Sequence, residues 1–345
     1  MKIFLPFFCL LFISCENGGD DGPYKADWIK KSFLQLTQNA YPRVKAISWW
    51  HENFDQSKLR IDSSPEALAE YQKGVSNAKY STELMFSNKK LVVDGERIYH
   101  GAFPDMGGEE DVVTAEAVRS FEALAKKEIA WVYFSDNWLT GINFPSSAVE
   151  TIVSMGKTPF IRMMARSNFD ENTPDPNYSM AKIINGVYDS QLKLWATKAK
   201  ATNINLLIEF GTEANGQWFP WNGKHNGGGT TTNYGDPSLA DGPERFRDAY
   251  RHIIDIFKAL NVDNVTWFFH VDAYGDPEEA WNDMKNYFPG ESYIDWLGVS
   301  VYGPQTPKED YDDFKDIMDL AYPKLIALSP NLPIAILEFA VTEKK

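Results

Sequence analysis

The feature that most constrains the fold is a regular alternation of short apolar runs with longer amphipathic stretches. Seven runs of strand length follow residue 98, at 98–103, 129–135, 159–164, 205–213, 265–271, 294–302 and 333–339. Helical patterns lie between them, for example at 115–128, 180–201, 243–260 and 310–328. Strands that alternate with helices form parallel sheets, because parallel neighbours need long crossover connections. The pattern therefore predicts an α/β fold.

The N-terminal segment supplies the elements that a closed barrel still lacks. Residues 27–38 have helical apolar spacing, residues 44–50 form a strand pattern that ends in two tryptophans, and Ser64-Pro65 is a typical helix start. We predict a (β/α)8 TIM barrel in which residues 24–87 provide the seventh helix, eighth strand and eighth helix by circular permutation. Residues 46–50 must then pair with the strands near 98 and 333. The alternative is a truncated chain with an unrelated N-terminal cap.

The first residues indicate export. Residues 1–15 contain one lysine and then an apolar run too short to span a membrane, as in a secretory signal. Ser14-Cys15 resembles a bacterial lipobox, which would leave Cys15 as a lipid-bearing N-terminus after cleavage. Residues 16–23 would be a flexible polar tether and residues 24–345 a single catalytic domain. We predict an outer-membrane or cell-surface lipoprotein; the alternative is ordinary secretion with Cys15 free.

Composition and motifs exclude several function classes. The 345 residues contain 34 Lys and Arg against 48 Asp and Glu, a net charge of -14, which argues against nucleic acid or an anionic membrane surface as partner. The glycine-rich loop 225–234 lacks the setting and the lysine of a phosphate-binding loop. No spacing of His, Cys or acidic residues suggests a metal site, and no cofactor is expected. A monomer is expected.

Two glutamates at strand ends are the candidate catalytic groups. Glu213 ends the apolar run that begins at Leu206 and precedes a loop rich in Gly, Asn and Trp, and Glu338 lies near the end of the last strand. Groups at the C-terminal ends of barrel strands converge on one mouth. A pair of carboxyl groups about 5–5.5 Å apart suits retaining glycoside hydrolysis, and a separation of about 6.5–9.5 Å suits inversion.

Three segments resemble glycoside hydrolase family 26, a family of TIM barrels best known as endo-β-mannanases. They are Glu213-Ala-Asn-Gly-Gln-Trp218-Phe-Pro-Trp221, Ile336-Leu-Glu338-Phe-Ala and Asp295-Trp-Leu-Gly-Val-Ser-Val-Tyr302. The resemblance spans residues 98–340, and residues 24–80 resemble what normally follows the nucleophile strand. It implies that Glu213 is the general acid/base, that Glu338 is the nucleophile oriented by Tyr302, and that configuration is retained.

The sequence departs from the family pattern beside the acid/base. Thr212 stands where the family has His, and Glu209 stands where Arg is common. Glu209 has the strand parity of Glu213, so it is expected to point into the barrel, with Arg162 on the preceding strand as its partner. We predict a buried Glu209–Arg162 ion pair; the alternative is a direct substrate role for either residue. Ala340 replaces a usual Gly, from which nothing follows.

Further candidates for substrate binding are aromatic or polar residues near strand ends. Trp218, Trp221, Trp138 and Trp50 are expected to form sugar-stacking walls, although each could equally pack inside a loop. Asn215 belongs to the acid/base motif. His270 and His100 could line the site or be satisfied structural histidines.

The two glutamates predict a glycosidase. The resemblance implies a retaining endo-enzyme of a β-linked plant or algal polysaccharide, with β-1,4-mannan the first substrate expected. β-1,3-Xylan and mixed-linkage β-glucan are alternatives within the family, since Thr212 alters the site. A non-catalytic surface glycan-binding lipoprotein is the alternative of a different class.

Overall fold

The barrel consists of eight strands that we number in chain order. The computed structural model describes residues 24–108 and 110–343, so the predictions for residues 1–23, including lipidation of Cys15, lie outside the described residues. The strands are β1 (Val44–Trp50), β2 (Ile98–Phe103), β3 (Trp131–Asn137), β4 (Thr158–Met164), β5 (Leu206–Phe210), β6 (Val265–Asp272), β7 (Trp296–Tyr302) and β8 (Ile334–Ala340).

The N-terminal strand closes the barrel. Consecutive strands from β2 to β8 pair in parallel, and β1 pairs in parallel with β8 on one side and with β2 on the other. Ile47, for example, is in register with Ile336 and with His100. The predicted (β/α)8 barrel and the position of residues 46–50 are confirmed. The origin of this strand order in a circular permutation stays a prediction.

The described residues contain eight α-helices. They are α1 (Tyr24–Thr37), α2 (Pro65–Val75), α3 (Ala115–Ala125), α4 (Ser146–Ser154), α5 (Met180–Ile184), α6 (Asp189–Thr202), α7 (Asp241–Ala259) and α8 (Phe314–Leu328). The helix predicted at 180–201 is broken into α5 and α6, because Gly186 adopts a φ of 73° that a helix does not allow. No helix in the described ranges is long and apolar enough to cross a membrane.

The N-terminal helix and strand are packed into the same core as the rest of the barrel. Trp28 and Phe33 of α1 are buried, and their rings lie 5.2 and 6.1 Å from that of Phe339 on β8. Trp49 points outward from β1 to the same cluster, with its ring 5.1 Å from that of Phe339. Trp50, the next residue, points to the other side, as strand alternation requires. The N-terminal segment is therefore a structural part of the barrel.

Candidate active site

The C-terminal ends of the strands form a cleft of about 850 Å³. Its wall includes side chains from β1, β4, β7 and β8 and from the loops that follow β2 and β5. Glu213 and Glu338 both line this cleft and are 6 and 5 % exposed. The convergence predicted from their positions at strand ends is therefore found.

Glu213 lies in a tight turn immediately after β5. The strand ends at Phe210, shorter than predicted, and Gly211 and Glu213 both have left-handed backbone conformations, with φ of 66 and 48°. A Cβ at Gly211 would lie 2.6 Å from the Phe246 ring, so only glycine fits this position. A non-glycine residue such as Glu213 in this region is strained, and strain of this kind is concentrated at functional sites. The turn presents the Glu213 carboxyl to the cleft, where the indole Nε1 of Trp218 donates to its Oε2 at 2.7 Å.

Glu338 on β8 is held by two side chains from other strands. The Tyr302 hydroxyl on β7 donates to Oε2 at 2.8 Å, and Nη2 of Arg162 on β4 lies 3.1 Å from Oε1. Arg162 is 3 % exposed, and its guanidinium also lies over the rings of Trp50 and Tyr133, at 4.9 and 5.3 Å. A buried carboxylate next to a buried guanidinium is stabilised in its charged form.

The two glutamates differ in the groups that control their protonation. Burial raises the pKa of Glu213 well above its ordinary value, and the charges of Glu338 and Asp272 raise it further. Hydrogen bonds from Ser300 and Trp218 lower the pKa and partly oppose this rise. Burial also raises the pKa of Glu338, but Arg162, His270 and the Tyr302 hydroxyl oppose that rise. The pKa of both carboxyls is raised, but only Glu338 has a guanidinium among the groups that favour its charged form.

A buried polar network lies beneath the pair. The Tyr133 hydroxyl donates to Oε1 of Glu209 at 2.6 Å, the Thr212 hydroxyl donates to the same oxygen, and His270 Nδ1 lies 2.9 Å from Oε2. Burial would raise the pKa of Glu209, yet His270, Arg162 and Thr212 together lower it below its ordinary value. Glu209 is thus a buried carboxyl whose charged form is favoured by His270, Arg162 and Thr212.

Comparisons with known proteins bear on the family of the chain. The model of glycosyl hydrolase family 26 matches residues 164–336, half of the chain. The chain belongs to glycosyl hydrolase family 26. Endoglucanase H of Acetivibrio thermocellus is 27% identical to this chain over 230 residues. These residues are 66% of this chain and 23% of that protein, so the chain spans about a quarter of the length of this curated relative.

Solved structures of the family are more distant. A mannanase from Bacillus subtilis is 15% identical, with a TM-score of 0.42 over 91% of this chain and 85% of that chain. The family 26 domain of an endo-β-mannanase/endo-β-glucanase from Prevotella bryantii is 15% identical, with a TM-score of 0.46 over 66% of this chain and 73% of that chain. The assignment of the fold rests on the strand pairing of this family 26 chain itself.

The predicted Glu209–Arg162 ion pair is present but is not the closest contact of either residue. Arg162 Nε lies 3.7 Å from Glu209 Oε1, whereas its Nη2 lies 3.1 Å from Glu338. Thr212 connects the two, because its hydroxyl accepts from Arg162 Nε at 3.2 Å and donates to Glu209. Arg162 also lines the cleft. The sequence-based prediction assigned Arg162 to Glu209 and missed its closer contact with Glu338.

Four residues predicted to bind substrate are buried away from the cleft. Trp221 is fully buried, with its ring stacked 4.5 Å from Phe219 and its Nε1 donating to the Thr212 carbonyl. Trp138 is fully buried against Tyr178 and Phe210.

The other two are polar residues whose partners lie inside the protein. Asn215 exchanges two hydrogen bonds with the backbone of Asp272, at 2.9 and 2.7 Å. His270 lies between Glu209 and Ser300, with its Nε2 2.9 Å from the Ser300 hydroxyl. His100 is also structural, since Tyr71 and the Glu128 carbonyl satisfy both of its nitrogens. These positions correct the prediction: Trp221 and Asn215 hold the loop that carries Glu213, Trp138 packs in the core, and His270 contacts Glu209.

The remaining predicted binding residues, Trp218, Tyr302 and Trp50, do line the cleft. Trp218 is partly exposed, so its ring is available to a ligand. Trp50 is only 5 % exposed, because Phe103 stacks on it at 3.9 Å and Arg162 lies over it. Little of its ring is therefore open for a sugar to stack on.

Several cleft residues have no signal in the sequence, because they lie in irregular loops. They include Glu52, Glu110, Asp111, Arg166 and Phe169. Asp272 also lines the cleft, but it is the last residue of β6. Phe169 is 60 % exposed and lies 4.7 Å from the Arg166 guanidinium, an exposed aromatic ring supported from one side. Asp272 at the end of β6 could have been found by the same strand-end argument that identified Glu213. Among the described residues no group of His, Cys, Asp or Glu could hold a metal ion.

Proposed function

We propose that the protein is a retaining endo-glycoside hydrolase that cleaves a β-linked polysaccharide by a two-glutamate double displacement. The observation that carries the proposal is the difference between two carboxyls in one cleft. Glu213 is buried and favours its proton, while Glu338 is paired with Arg162 and Tyr302. Acid and base roles are separated in glycosidases by such differences in environment.

In the first step the ionised Glu338 carboxylate attacks the anomeric carbon. The bond from that carbon to the leaving sugar oxygen breaks, and Glu213 gives its proton to that oxygen. The product is a glycosyl ester on Glu338. Tyr302 and Arg162 hold the attacking carboxylate in place. The carboxylate therefore loses little conformational entropy when it reaches the transition state.

In the second step water replaces Glu338. The Glu213 carboxylate takes a proton from the water, the water oxygen bonds to the anomeric carbon, and the ester bond breaks. Formation of the ester removes the negative charge of Glu338, one of the groups that raise the pKa of Glu213. Glu213 thus becomes easier to ionise when a base is needed. Two successive inversions give net retention.

Endo action is supported by the shape of the cleft. A second cavity of about 320 Å³ shares Asp272, Tyr302 and Gln305 with the main cleft. Tyr302 contacts Glu338, so the two cavities meet beside the nucleophile. A sugar chain could extend into both cavities from the bond that is cut.

For the substrate we propose β-1,4-mannan first, because the motifs around both glutamates resemble those of endo-β-mannanases. Mixed-linkage β-glucan is a second candidate, favoured by Thr212 beside the acid/base and by the similarity to a protein named Endoglucanase H. β-1,3-Xylan is a third. A non-catalytic glycan-binding role is disfavoured, because both glutamates are present in the cleft with separate partners.

For the location we propose a monomeric lipoprotein anchored in the outer membrane through Cys15. The support is the apolar run and lipobox-like Ser14-Cys15 at the start of the sequence. Incorporation of labelled palmitate into the wild-type protein and its loss in Cys15→Ala would test the anchor.

The enzymatic proposal is tested with Glu338→Ala and reducing-sugar release from mannan, mixed-linkage β-glucan and β-1,3-xylan. We expect the wild type to release sugar from at least one of them, and the variant to lose that activity by at least about 1000-fold. Unchanged release by the variant, or no release by the wild type from any of the three, would refute the proposal.

A further inference from the structure

The loop after β1 places a third glutamate on the cleft wall. Glu52 lies two residues beyond the end of β1, lines the cleft and is 8 % exposed. Among the residues that the structure describes, no N–H or O–H group donates a hydrogen bond to its carboxyl. Buried carboxyls are usually paired or hydrogen-bonded, because burying an unpartnered polar group costs stability.

The charged groups that face Glu52 have closer partners of their own. Arg162 lies 3.1 Å from Glu338, Glu110 accepts from the Ser135 hydroxyl at 2.6 Å, and Asp105 accepts from Arg60 at 2.5 Å. Burial raises the pKa of Glu52 to about 7; Glu110 and Asp105 raise it as well, and Arg162 opposes them. Glu52 therefore changes its charge close to neutral pH.

We propose that Glu52 is a specificity residue whose carboxyl hydrogen-bonds a hydroxyl group of the bound sugar chain. A hydroxyl both donates and accepts, so it can satisfy a carboxyl that has no partner inside the protein. A metal ion is a poorer occupant, since no group of three such ligands exists among the described residues. The inference rests on the proposed glycoside hydrolysis, because it gives Glu52 a role in binding the sugar chain that the enzyme would cleave.

The proposal predicts the direction of a pH effect on binding. A sugar seated on Glu52 removes the remaining water from the carboxyl, which makes its charged form less favourable beside Glu110 and Asp105. The protonated form is therefore the one that binds, and affinity falls as the pH rises through about 7. Glutamine resembles the protonated carboxyl in shape and has an amide N–H as a donor, so Glu52→Gln should bind equally well across this range.

The experiment measures KM and kcat for the wild type, Glu52→Gln and Glu52→Ala. The substrate is the polysaccharide that the wild type hydrolyses fastest among mannan, mixed-linkage β-glucan and β-1,3-xylan. We expect the wild-type KM to rise several-fold between about pH 6 and pH 8. The KM of Glu52→Gln should stay level, and that of Glu52→Ala should be about 10-fold higher at pH 6 with a smaller change in kcat. Glu150→Gln, an exposed position on α4, is the matched control.

Three results would overturn the inference. They are an unchanged KM in Glu52→Ala, a Glu52→Gln profile that follows the wild type, and an equal loss of kcat and kcat/KM in Glu52→Ala. Failure of the underlying function is distinguishable, since the wild type would then hydrolyse none of the three polysaccharides. Melting temperatures of both variants within a few degrees of the wild type exclude misfolding as the cause of a change in KM.

Discussion

Trp218 both lines the cleft and donates a hydrogen bond to Glu213. The donor is its indole Nε1, which lies 2.7 Å from Oε2 of Glu213. A donor to a carboxylate favours the charged form and lowers the pKa of the group. Trp218 therefore moderates the rise that burial and Glu338 produce in the pKa of Glu213.

Replacing Trp218 by Phe should move the basic limb of the pH profile of kcat/KM to higher pH. The variant keeps a ring but loses the donor, so the pKa of Glu213 rises and the acid stays protonated longer. We expect a shift of up to about one pH unit, and a fall in kcat/KM of about 10-fold from weaker orientation and stacking.

Trp221→Phe is the matched control for Trp218→Phe, because Trp221 is buried and its Nε1 donates to a backbone carbonyl instead. It should lower the melting temperature without moving either limb of the pH profile. A basic limb that does not move in Trp218→Phe, or that moves equally in Trp221→Phe, would show that Trp218 does not act on Glu213.

At the scale of elements, β3 carries a buried acid with no part in the chemistry. Asp136 accepts from Trp195 Nε1 at 3.0 Å, and burial raises its pKa from 3.8 to about 8. Between these two pH values folding takes up a proton, so the free energy of unfolding falls as the pH rises through this window.

Asp136→Asn should therefore stabilise the protein at high pH and not at low pH. Asparagine can still accept from Trp195 but has no charge to bury. We expect the variant to gain on the order of 2 kcal/mol near pH 8 and to match the wild type near pH 4, measured by urea unfolding. The exposed Asp255→Asn on α7 should show no such trend. A constant difference between Asp136→Asn and wild type at all pH values would contradict this account.

The elements were predictable because burial on both faces leaves a strong pattern in the sequence. The strands at 44–50 and 98–103 have the predicted bounds, and each of the others differs by one to three residues at one end or at both. Glu213 and Glu338 were identified from their positions at strand ends. Barrel topology brings the C-terminal ends of the strands together, so this prediction needs no information on side-chain packing.

Loop residues were not predictable in the same way. Trp138, Trp221 and Asn215 have the composition of binding residues, but tertiary packing decides whether a loop aromatic faces a cleft or the core. Glu52 and Arg166 lie in segments with no periodicity, so no signal in a single sequence marks them. Their roles follow from burial and partners alone.

At the scale of the whole molecule, the barrel is closed by residues from the start of the chain. β1 pairs with both β8 and β2, and contacts between the two ends of the chain continue beyond the strands. The Lys58 backbone N–H donates to the Thr342 hydroxyl at 2.7 Å, and Ser63 and Ser64 donate to Glu343 at 2.8 and 2.7 Å. Without residues 24–97 the edges of β2 and β8 would be unpaired.

A rearranged chain would test whether strand order matters to the fold. The variant begins near residue 93, and a short glycine-serine linker joins residue 345 to residue 24. We expect it to fold and retain activity, because every strand keeps its neighbours. Deletion of residues 24–97 should instead give insoluble or unfolded protein. Circular dichroism and thermal melting distinguish these outcomes. A folded, cooperative deletion variant would show that β1 is not part of the core.

The central claim is that Glu338 forms a covalent bond to the sugar and Glu213 does not. The most direct measurement is peptide mass spectrometry after incubation with an activated 2-deoxy-2-fluoro glycoside of the sugar that the enzyme releases, since such reagents accumulate the glycosyl-enzyme ester. The account predicts a single adduct on the peptide that contains Glu338, slower to form in Trp218→Phe. An adduct on another carboxyl, or a product released with inverted configuration and no adduct, would contradict it.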